Sequence, residues 1–323
     1  MSDATFVLSL DTEIAWADAG KLPQSLYKDR FNGYQDIITR LIDLLDTYQI
    51  PATWAIVGAL LLNDMNELDV EEPIYSWSEP QLSSSAIFHT LAYDTPHWYH
   101  YPQVLEFIQQ ANVEHEIGTH TFTHVYAEDP ATTQSIFDSQ LSAVKQQFAD
   151  HNIVATSIIF PRNEIKYLEV LSQHGINAYR GVERNWYHQV PGQLNRIAHY
   201  LDRLLAITPP TYDIETLVVN SNLINLPSSQ FLLHYDGIRN WIPTQSRVLQ
   251  AKRGINSAIK KKELYHLWFH PHNLGSSEKM FTALEQILEY VAEMREQKKI
   301  KVKTMKQVAG GILSHKEFVN GST

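Results

Sequence analysis

Two histidines four residues apart, His120 and His124, lie in the stretch EIGTHTFTH directly after a short apolar run. On a helical turn, residues at positions i and i+4 lie on the same face. Two imidazoles arranged in this way can bind one metal ion from the same side. The chain has 15 histidines, so a pair at this spacing also arises by chance and could be two ordinary polar side chains. The pair therefore needs further ligands before it indicates a metal site.

A pair of carboxylates supplies such candidates near the start of the chain. The apolar run at residues 5–10 predicts a buried strand, and it leads directly into Asp11, Thr12 and Glu13. In an extended chain, residues two apart point to the same side, so Asp11 and Glu13 would share a face. Polar turn residues after a strand are the simpler alternative.

The elements that must position these side chains alternate between apolar strands and helices. The predicted strands cover residues 5–10, 52–57, 114–118, 155–160, 176–180, 264–269 and 300–303. The predicted helices cover residues 34–48, 102–110, 129–150, 192–205, 246–262 and 277–297, with a shorter one that ends at His174-Gly175. This alternation predicts an α/β fold with parallel strands and helical crossovers. We expect a single domain over residues 1–323, with its core at about 5–305 and an irregular, aromatic-rich insertion around 60–112.

Unusual polar residues follow several of these strands. They are Asp11 and Glu13 after the first strand, His120 and His124 after the third, Arg162 and Asn163 after the fourth, and His270 and His272 after a late one. In a barrel of parallel strands, the carboxyl ends converge on one mouth, where active sites lie. Four strand ends with metal-binding or acid–base residue types are much less expected by chance than one pair. The pattern therefore favours a catalytic site at that mouth.

Composition excludes several other classes of function. The net charge of −10 argues against nonspecific binding to nucleic acid. The chain has no cysteine, so disulfides, thiolate nucleophiles and cysteine-based zinc sites are excluded, and any metal must bind to His, Asp or Glu. The N-terminus does not resemble a signal peptide, and no stretch approaches the length of a transmembrane helix. A cytoplasmic protein is the expectation.

The order of these motifs resembles the polysaccharide deacetylase family (the NodB-homology, carbohydrate esterase 4 group). The similar elements are Asp-x-Glu after the first strand, His-Thr-Phe-Thr-His after the third, Phe-Pro-Arg after the fourth and Trp-Phe-His-Pro near the end. The resemblance implies a distorted barrel of about seven strands that removes acetyl groups from N-acetylated sugars with a divalent metal. Zinc is the first expectation for that metal, with cobalt, nickel or manganese as alternatives.

The chain departs from the family in two places. The family's first motif commonly has two adjacent aspartates, whereas Thr12 separates Asp11 from Glu13 here, so either carboxylate could be the third metal ligand. The family's Asp-x-x-Asp-Trp motif has no clear counterpart, and Trp186 or Trp241 could occupy that space.

The resemblance also implies roles for individual residues. Glu13, His120 and His124 would bind the metal, Asp11 would act as general base, Arg162 would lie near Asp11 and keep it ionised, and His270 would protonate the leaving amine. His272 is the alternative to His270, or it contacts substrate together with Asn273. Trp98 could stack on a sugar ring or pack in the core, and Trp186 is a further candidate for substrate binding.

Three functions remain as hypotheses from the sequence. The first is a metal-dependent hydrolase that deacetylates an N-acetylated sugar in a polysaccharide, its precursor or a small glycoside. The second is a hydrolase of a non-sugar amide or cyclic amide on the same barrel. The third is a glycan-binding protein with a degenerate site, for which the altered first motif is the only support.

Overall fold

The strands of the computed structural model, which describes residues 3–16, 28–62, 70–76, 96–192 and 194–320, form one sheet. They are β1 (Thr5–Thr12), β2 (Thr53–Ile56), β3 (Glu116–Thr119), β4 (Ser157–Ile158), β5 (Ala178–Tyr179), β6 (Val218–Asn220), β7 (Leu223–Asn225), β8 (Gln230–Phe231), β9 (Leu264–Phe269) and β10 (Lys301–Val302). Along the sheet their order is β6-β7-β5-β4-β3-β2-β1-β9-β8, and β10 also pairs with β1. All these pairings are parallel except that of β6 with β7.

Helices connect the parallel strands. They are α1 (Lys28–Asn32), α2 (Tyr34–Tyr48), α3 (Gln103–Gln109), α4 (Gln134–Asp150), α5 (Leu168–Leu171), α6 (Leu194–Leu204), α7 (Thr244–Lys261), α8 (Glu278–Glu296) and α9 (Met305–Asn320). No helix in the described ranges is long and apolar enough to cross a lipid bilayer.

Residues 226–229 form a short segment that hydrogen-bonds to β5 at its start and to β9 at its end, and this link curves the sheet. At its start, the backbone N–H of Leu226 donates to the carbonyl of Tyr179 in β5 (2.8 Å). Three residues later, the N–H of Ser229 donates to the carbonyl of His266 in β9 (2.8 Å). The mostly parallel strands therefore form a curved, barrel-like sheet, which confirms the predicted α/β fold of the distorted (β/α)7 type.

Strand β1 is an interior strand of this sheet, between β2 and β9, and all eight of its residues are buried. Helix α2 packs on the outside through an apolar face that includes Ile38, Leu41 and Leu45. This face recurs every three or four residues, as the helical period requires. The carboxyl ends of β1 and β3 therefore emerge from a rigid core, which suits a site that must hold side chains in place.

The boundaries differ from the sequence predictions in a few places. Helix α4 begins at Gln134 rather than at residue 129, because the Thr133 hydroxyl accepts a hydrogen bond from the N–H of Ile136 and caps the helix there (3.2 Å). The hairpin of β6 and β7 was not predicted. Of the insertion predicted around 60–112, residues 63–69 and 77–95 lie outside the described residues.

Candidate metal centre and active site

The two histidines after β3 face the carboxylates of β1, but they do not lie on a helix. Thr121 and His124 both have a left-handed backbone, with φ of 63° and 59°, so the chain turns in a loop between the imidazoles. The Thr121 hydroxyl accepts a hydrogen bond from the N–H of Val125 and holds this loop closed (3.1 Å). The ring centroids of His120 and His124 lie 4.9 Å apart. The helical argument from the i, i+4 spacing is therefore wrong, although the loop brings the two rings together.

Glu13 joins these histidines in a buried cluster of three side chains. Its Oε2 lies 3.1 Å from Nε2 of His120 and 2.8 Å from Nε2 of His124. The three ligand atoms lie within 4.8 Å of one another, and all three residues are buried. Of the two carboxylates that the sequence offered as a third ligand, Glu13 is the one that contacts both imidazoles.

The protonation of His120 indicates what this cluster requires. The Nδ1 of His120 lies 2.7 Å from the carbonyl oxygen of Ile159, which can only accept, so Nδ1 carries the proton. In a neutral imidazole, Nε2 then presents a lone pair to the Glu13 carboxylate. Two acceptors at this distance need a proton or a cation between them. A carboxylate and two imidazole nitrogens are a donor set that suits zinc, and a backbone carbonyl behind a histidine ligand is a common support for such sites. The residues therefore fit a divalent metal.

Electrostatics reinforce this requirement. Burial by itself would raise the pKa of the Glu13 carboxyl, but positive charge on His270 and His124 and hydrogen bonds from the imidazoles lower it well below its usual value. A bound divalent cation would lower the pKa of this carboxyl in the same direction.

Asp11 has a different partner. Arg180, at the end of β5, donates from Nη1 to Oδ1 of Asp11 (2.5 Å) and from Nη2 to Oδ2 (2.7 Å). Both side chains are buried. Burial alone would raise the pKa of Asp11, but the charge and hydrogen bonds of Arg180 outweigh it, so the pKa is lowered. Asp11 is therefore held as a carboxylate beside the cluster.

This pairing corrects the prediction for Arg162. The guanidinium against Asp11 belongs to Arg180, whereas Arg162 lies 4.2 Å above the ring of Tyr126 and 3.8 Å from Glu164. Arg162 has a left-handed backbone (φ 56°), which directs its side chain away from the carboxylate, and that side chain is 48% exposed. Its neighbour Asn163 reaches inward instead, since its Oδ1 accepts from Nη2 of Arg180 (2.9 Å).

Arg180 is a site residue that the sequence analysis missed. A second layer holds it in place: Ser9 Oγ lies 3.3 Å from its Nη1, and the guanidinium lies 4.0 Å above the ring of Trp268. The Ser9 hydroxyl also contacts Nε2 of His266 (2.8 Å). A usable signal existed, because Arg180 is the last residue of a predicted strand and Asp11 directly follows another.

His270 forms the open side of the site. Its Nε2 lies 3.1 Å from Oε1 of Glu13 and 3.8 Å from Oδ2 of Asp11. Its side chain is 22% exposed, whereas those of Glu13 and Asp11 are 2% and 4% exposed. His272 is buried and packs edge-on against Phe31 with a centroid distance of 5.5 Å, so of the two candidates His270 is the one that reaches the carboxylates.

Three of the four candidates for substrate binding, His272, Asn273 and Trp98, are buried. Trp98 is 4% exposed, and its indole N–H donates to Oδ1 of Asn32 (2.9 Å), so it packs in the core and has no open face for a sugar ring. Asn273 is 5% exposed and its amide nitrogen lies 3.3 Å from Nδ1 of His270, so its role as a substrate contact stays a prediction. Trp186 is 46% exposed, with its indole N–H bound to Asp202 (2.7 Å), and stays a candidate.

Part of the sequence matches one known protein family. Residues 31–161 match the sequence model of a family described as polysaccharide deacetylase. A search of curated proteins found no match. The family match confirms the resemblance that the motifs indicated.

Solved structures with the same fold extend the likeness to nearly the whole chain. A protein from Mycobacterium smegmatis, provisionally described as a polysaccharide deacetylase, is 14% identical with a TM-score of 0.62, over 98% of this chain and 92% of that one. Puue allantoinase is 9% identical with a TM-score of 0.59, over 94% and 88%. A protein from Pseudomonas aeruginosa PAO1, also provisionally described as a polysaccharide deacetylase, is 10% identical with a TM-score of 0.54, over 94% and 89%. At these identities the likeness establishes the fold.

Proposed function

We propose that this chain is a metal-dependent hydrolase that removes the acetyl group from an N-acetylated sugar. The observation that carries the proposal is one constellation at the mouth of the barrel. A buried Glu13–His120–His124 cluster lies beside a carboxylate fixed by Arg180 and beside the partly exposed His270. These are the parts that metal-assisted amide hydrolysis needs.

The three cluster residues would hold the metal. Three protein ligands leave a coordination position open for water or substrate, which is the pattern of catalytic rather than structural zinc. When bound, a divalent ion makes a water molecule more acidic and polarises the acyl oxygen. Zinc is the first candidate, because the donor set is one carboxylate and two imidazoles, and cobalt, nickel and manganese are alternatives.

Asp11 is proposed as the general base. Its lowered pKa keeps it unprotonated over the whole neutral range, so it is always ready to accept a proton from water. The bidentate contact with Arg180 uses one lone pair on each carboxylate oxygen and leaves others available. Arg180 therefore orients the base and keeps it charged.

His270 is proposed as the acid that protonates the leaving nitrogen. It has the largest exposed fraction among the side chains that contact Glu13, so a substrate that enters the mouth meets it directly. Proton transfer from a positioned imidazole typically contributes about 10²–10⁴-fold to the rate. With water as nucleophile, the carbon–nitrogen bond breaks, the nitrogen leaves as an amine and the acyl group leaves as acetate.

The class of substrate is inferred from the family match, and a cyclic amide is the second candidate. That candidate is favoured by the likeness in fold to a protein named as an allantoinase. The same catalytic parts could open a ring amide, because the bond cleaved is of the same type. Trp186, with an exposed indole face, is proposed as a stacking surface for a sugar ring in the first case.

The test measures product release from a panel of N-acetylated sugars and cyclic amides, including allantoin. We expect acetate release with added zinc or cobalt and its loss after chelation. The matched variant is His120→Ala, which we expect to lose both bound zinc and activity. Turnover of a cyclic amide without acetate release from any sugar would favour the second candidate. Binding of glycans without turnover, unchanged in His120→Ala, would favour a binding protein with a degenerate site and overturn the enzyme.

A further inference from the structure

Helix α6 is amphipathic in the opposite sense to an ordinary surface helix. A surface helix normally turns its apolar stripe towards the core. In α6 the apolar stripe faces the solvent instead, with exposed fractions of 61%, 56%, 41% and 60% for Leu194, Ile197, Leu201 and, directly after the helix, Leu205. These residues are three or four positions apart, so they form one continuous row.

The polar side of α6 is buried and fixes the orientation of the helix. Asp202 and Arg203 are 3% and 4% exposed. Gln250 of α7 donates to Oδ2 of Asp202 (2.8 Å) and accepts from Nη1 of Arg203 (3.1 Å). Arg203 also pairs with Glu183 (3.4 Å). Turning the apolar stripe inward would leave these buried charges without partners, which is costly, so the stripe is held on the outside.

A second exposed apolar group lies beside α6. The turn Gly237–Trp241, which precedes α7, exposes 68% of Ile238 and 79% of Trp241. Burial and the charges of nearby arginines, Arg239 among them, lower the pKa of His199 on α6 to about 4, so this turn and α6 are neighbours. A contiguous exposed apolar surface of this kind is typical of an interaction site.

The charge around this surface is opposite to that of the whole protein. Residues 184–201 and 237–262 contain nine Lys and Arg and no Asp or Glu, whereas the full chain has 26 basic and 36 acidic residues. The acidic residues next to the first segment, Glu183 and Asp202, are buried against Arg203. Four arginines of these segments are exposed or partly exposed: Arg184, Arg196, Arg239 and Arg253.

We propose that the exposed side chains of residues 184–205 and 237–253, which we call the basic apolar surface, bind the anionic lipids of a membrane surface. An apolar stripe with an exposed tryptophan can enter the boundary between headgroups and acyl chains, and arginines can pair with lipid phosphates. A second copy of the chain fits less well, because a two-fold interface would place the same arginines against each other. The inference goes beyond the proposed hydrolysis, since it concerns what the protein binds outside its active site.

The test measures cosedimentation of the full chain with vesicles. We expect it to bind vesicles of phosphatidylcholine and phosphatidylglycerol in equal parts, and to bind phosphatidylcholine alone on the order of tenfold more weakly or less. Added salt should weaken binding to the anionic vesicles, because it screens the exposed arginines.

Two double variants separate the apolar and the charged contributions. Ile197→Gln with Leu201→Gln should weaken binding on the order of 10²-fold, because two apolar side chains no longer leave water. Arg184→Gln with Arg196→Gln should weaken it on the order of tenfold. The matched control is Val154→Gln, which changes a side chain that is 78% exposed on the segment before β4 and should bind as the wild type does. Melting temperatures check that each variant is folded.

A wild-type protein that does not bind the anionic vesicles would overturn the inference, as would folded double variants that bind them as well as the wild type. Analytical ultracentrifugation tests the other occupant. A dimer that becomes a monomer in Ile197→Gln with Leu201→Gln would mean that a second copy covers the surface, and it would also overturn the inference. Vesicle binding is measured without substrate, so its outcome and that of the acetate assay are independent.

Discussion

Two buried glutamates, Glu116 at the amino end of β3 and Glu13 after the carboxyl end of β1, are stabilised in different ways. Glu116 opens β3 and accepts hydrogen bonds from the hydroxyls of Thr53 (2.8 Å) and Ser157 (2.5 Å) and from the backbone N–H of Lys306 (2.8 Å). Glu13 follows β1 and contacts the Nε2 atoms of three imidazoles. These contacts alone do not determine which of the three nitrogens carry a proton. The two are similarly buried, at 6% and 2% exposed.

The type of hydrogen-bond partner therefore distinguishes a structural carboxylate, Glu116, from Glu13, whose partners suit a binding site. Hydroxyl and backbone donors are neutral and permanent, so Glu116 is satisfied whatever the solution contains, and it ties β2, β3, β4 and the start of α9 together. An imidazole donates only when it carries a proton on the right nitrogen. Glu13 is satisfied only if protons or a metal ion are added, which is the property of a binding site. Four substitutions test this difference, and their expected effects decrease from Glu13→Gln to Arg162→Ala.

Glu13→Gln should abolish function and leave the fold intact. The substitution keeps the shape of the side chain but removes the negative charge that a divalent ion needs. We expect zinc binding, measured by metal analysis of the purified protein, to be lost. Loss of several kcal/mol of metal-supplied stabilisation would reduce hydrolysis on the order of 10³-fold or more. The melting temperature of the metal-free protein should not fall, and a clear fall would mean that Glu13 is structural in the same way as Glu116.

Arg180→Met should destabilise the protein and impair catalysis at once. It leaves the Asp11 carboxylate buried without its cation, a change that costs about 3–5 kcal/mol at neutral pH. Chemical denaturation measures this loss. The double variant Asp11→Leu with Arg180→Met is the control, and it should recover much of the stability because no charge is left buried.

The loss in Arg180→Met should also depend on pH with a defined sign. In the wild type, the folded pKa of Asp11 is lowered, so its contribution to stability is present above the unfolded value of about 3.9 and is lost as pH falls through the folded pKa. In the variant, burial raises that pKa, and the carboxyl can protonate as pH falls. The difference in unfolding free energy between the two proteins should therefore shrink from pH 7 towards about pH 4, and a constant difference would contradict the ion pair.

Glu116→Gln should lower stability and leave zinc binding and catalysis nearly unchanged, the reverse of what we expect for Glu13→Gln. One of its three donors would face an amide nitrogen, and charge-assisted hydrogen bonds would become neutral ones. We expect a loss of about 2 kcal/mol in unfolding free energy. Zinc content and kcat should stay within about twofold of the wild type, because Glu116 lies at the end of the sheet away from the site. A loss of zinc with no loss of stability would reverse the roles assigned to the two glutamates.

The contrast also explains what could be predicted from the sequence. Residue type at a strand end was enough to select Glu13, His120, His124 and His270, because parallel strands bring their carboxyl ends together whatever the local loops do. It failed where loop geometry decides direction. The left-handed residues Thr121 and His124 replace the assumed helical turn.

Contacts between segments far apart in the chain could not be predicted from the sequence. Arg180 and Asp11 are separated by 169 positions, and their pairing depends on the curvature that brings β5 towards β1 across the sheet. The hydrogen bond from Nη1 of Arg30 to Oδ1 of Asn273 spans 243 positions. Neither pair carries a local pattern, since each partner alone resembles an ordinary charged or polar residue.

Arg162→Ala should have the smallest effect, although Arg162 was the arginine that the motif order selected. Its guanidinium is separated from the cluster by Tyr126, whose ring lies 5.4 Å from that of His124. A half-exposed side chain with a distant ion pair contributes about 0–1 kcal/mol. We expect unfolding free energy to change by no more than about 0.5 kcal/mol and kcat to stay within a few-fold of the wild type. Arg180→Met is the matched variant for comparison. A loss of activity in Arg162→Ala as large as that in Arg180→Met would contradict this prediction, because it would mean that Arg162 moves to contact the substrate.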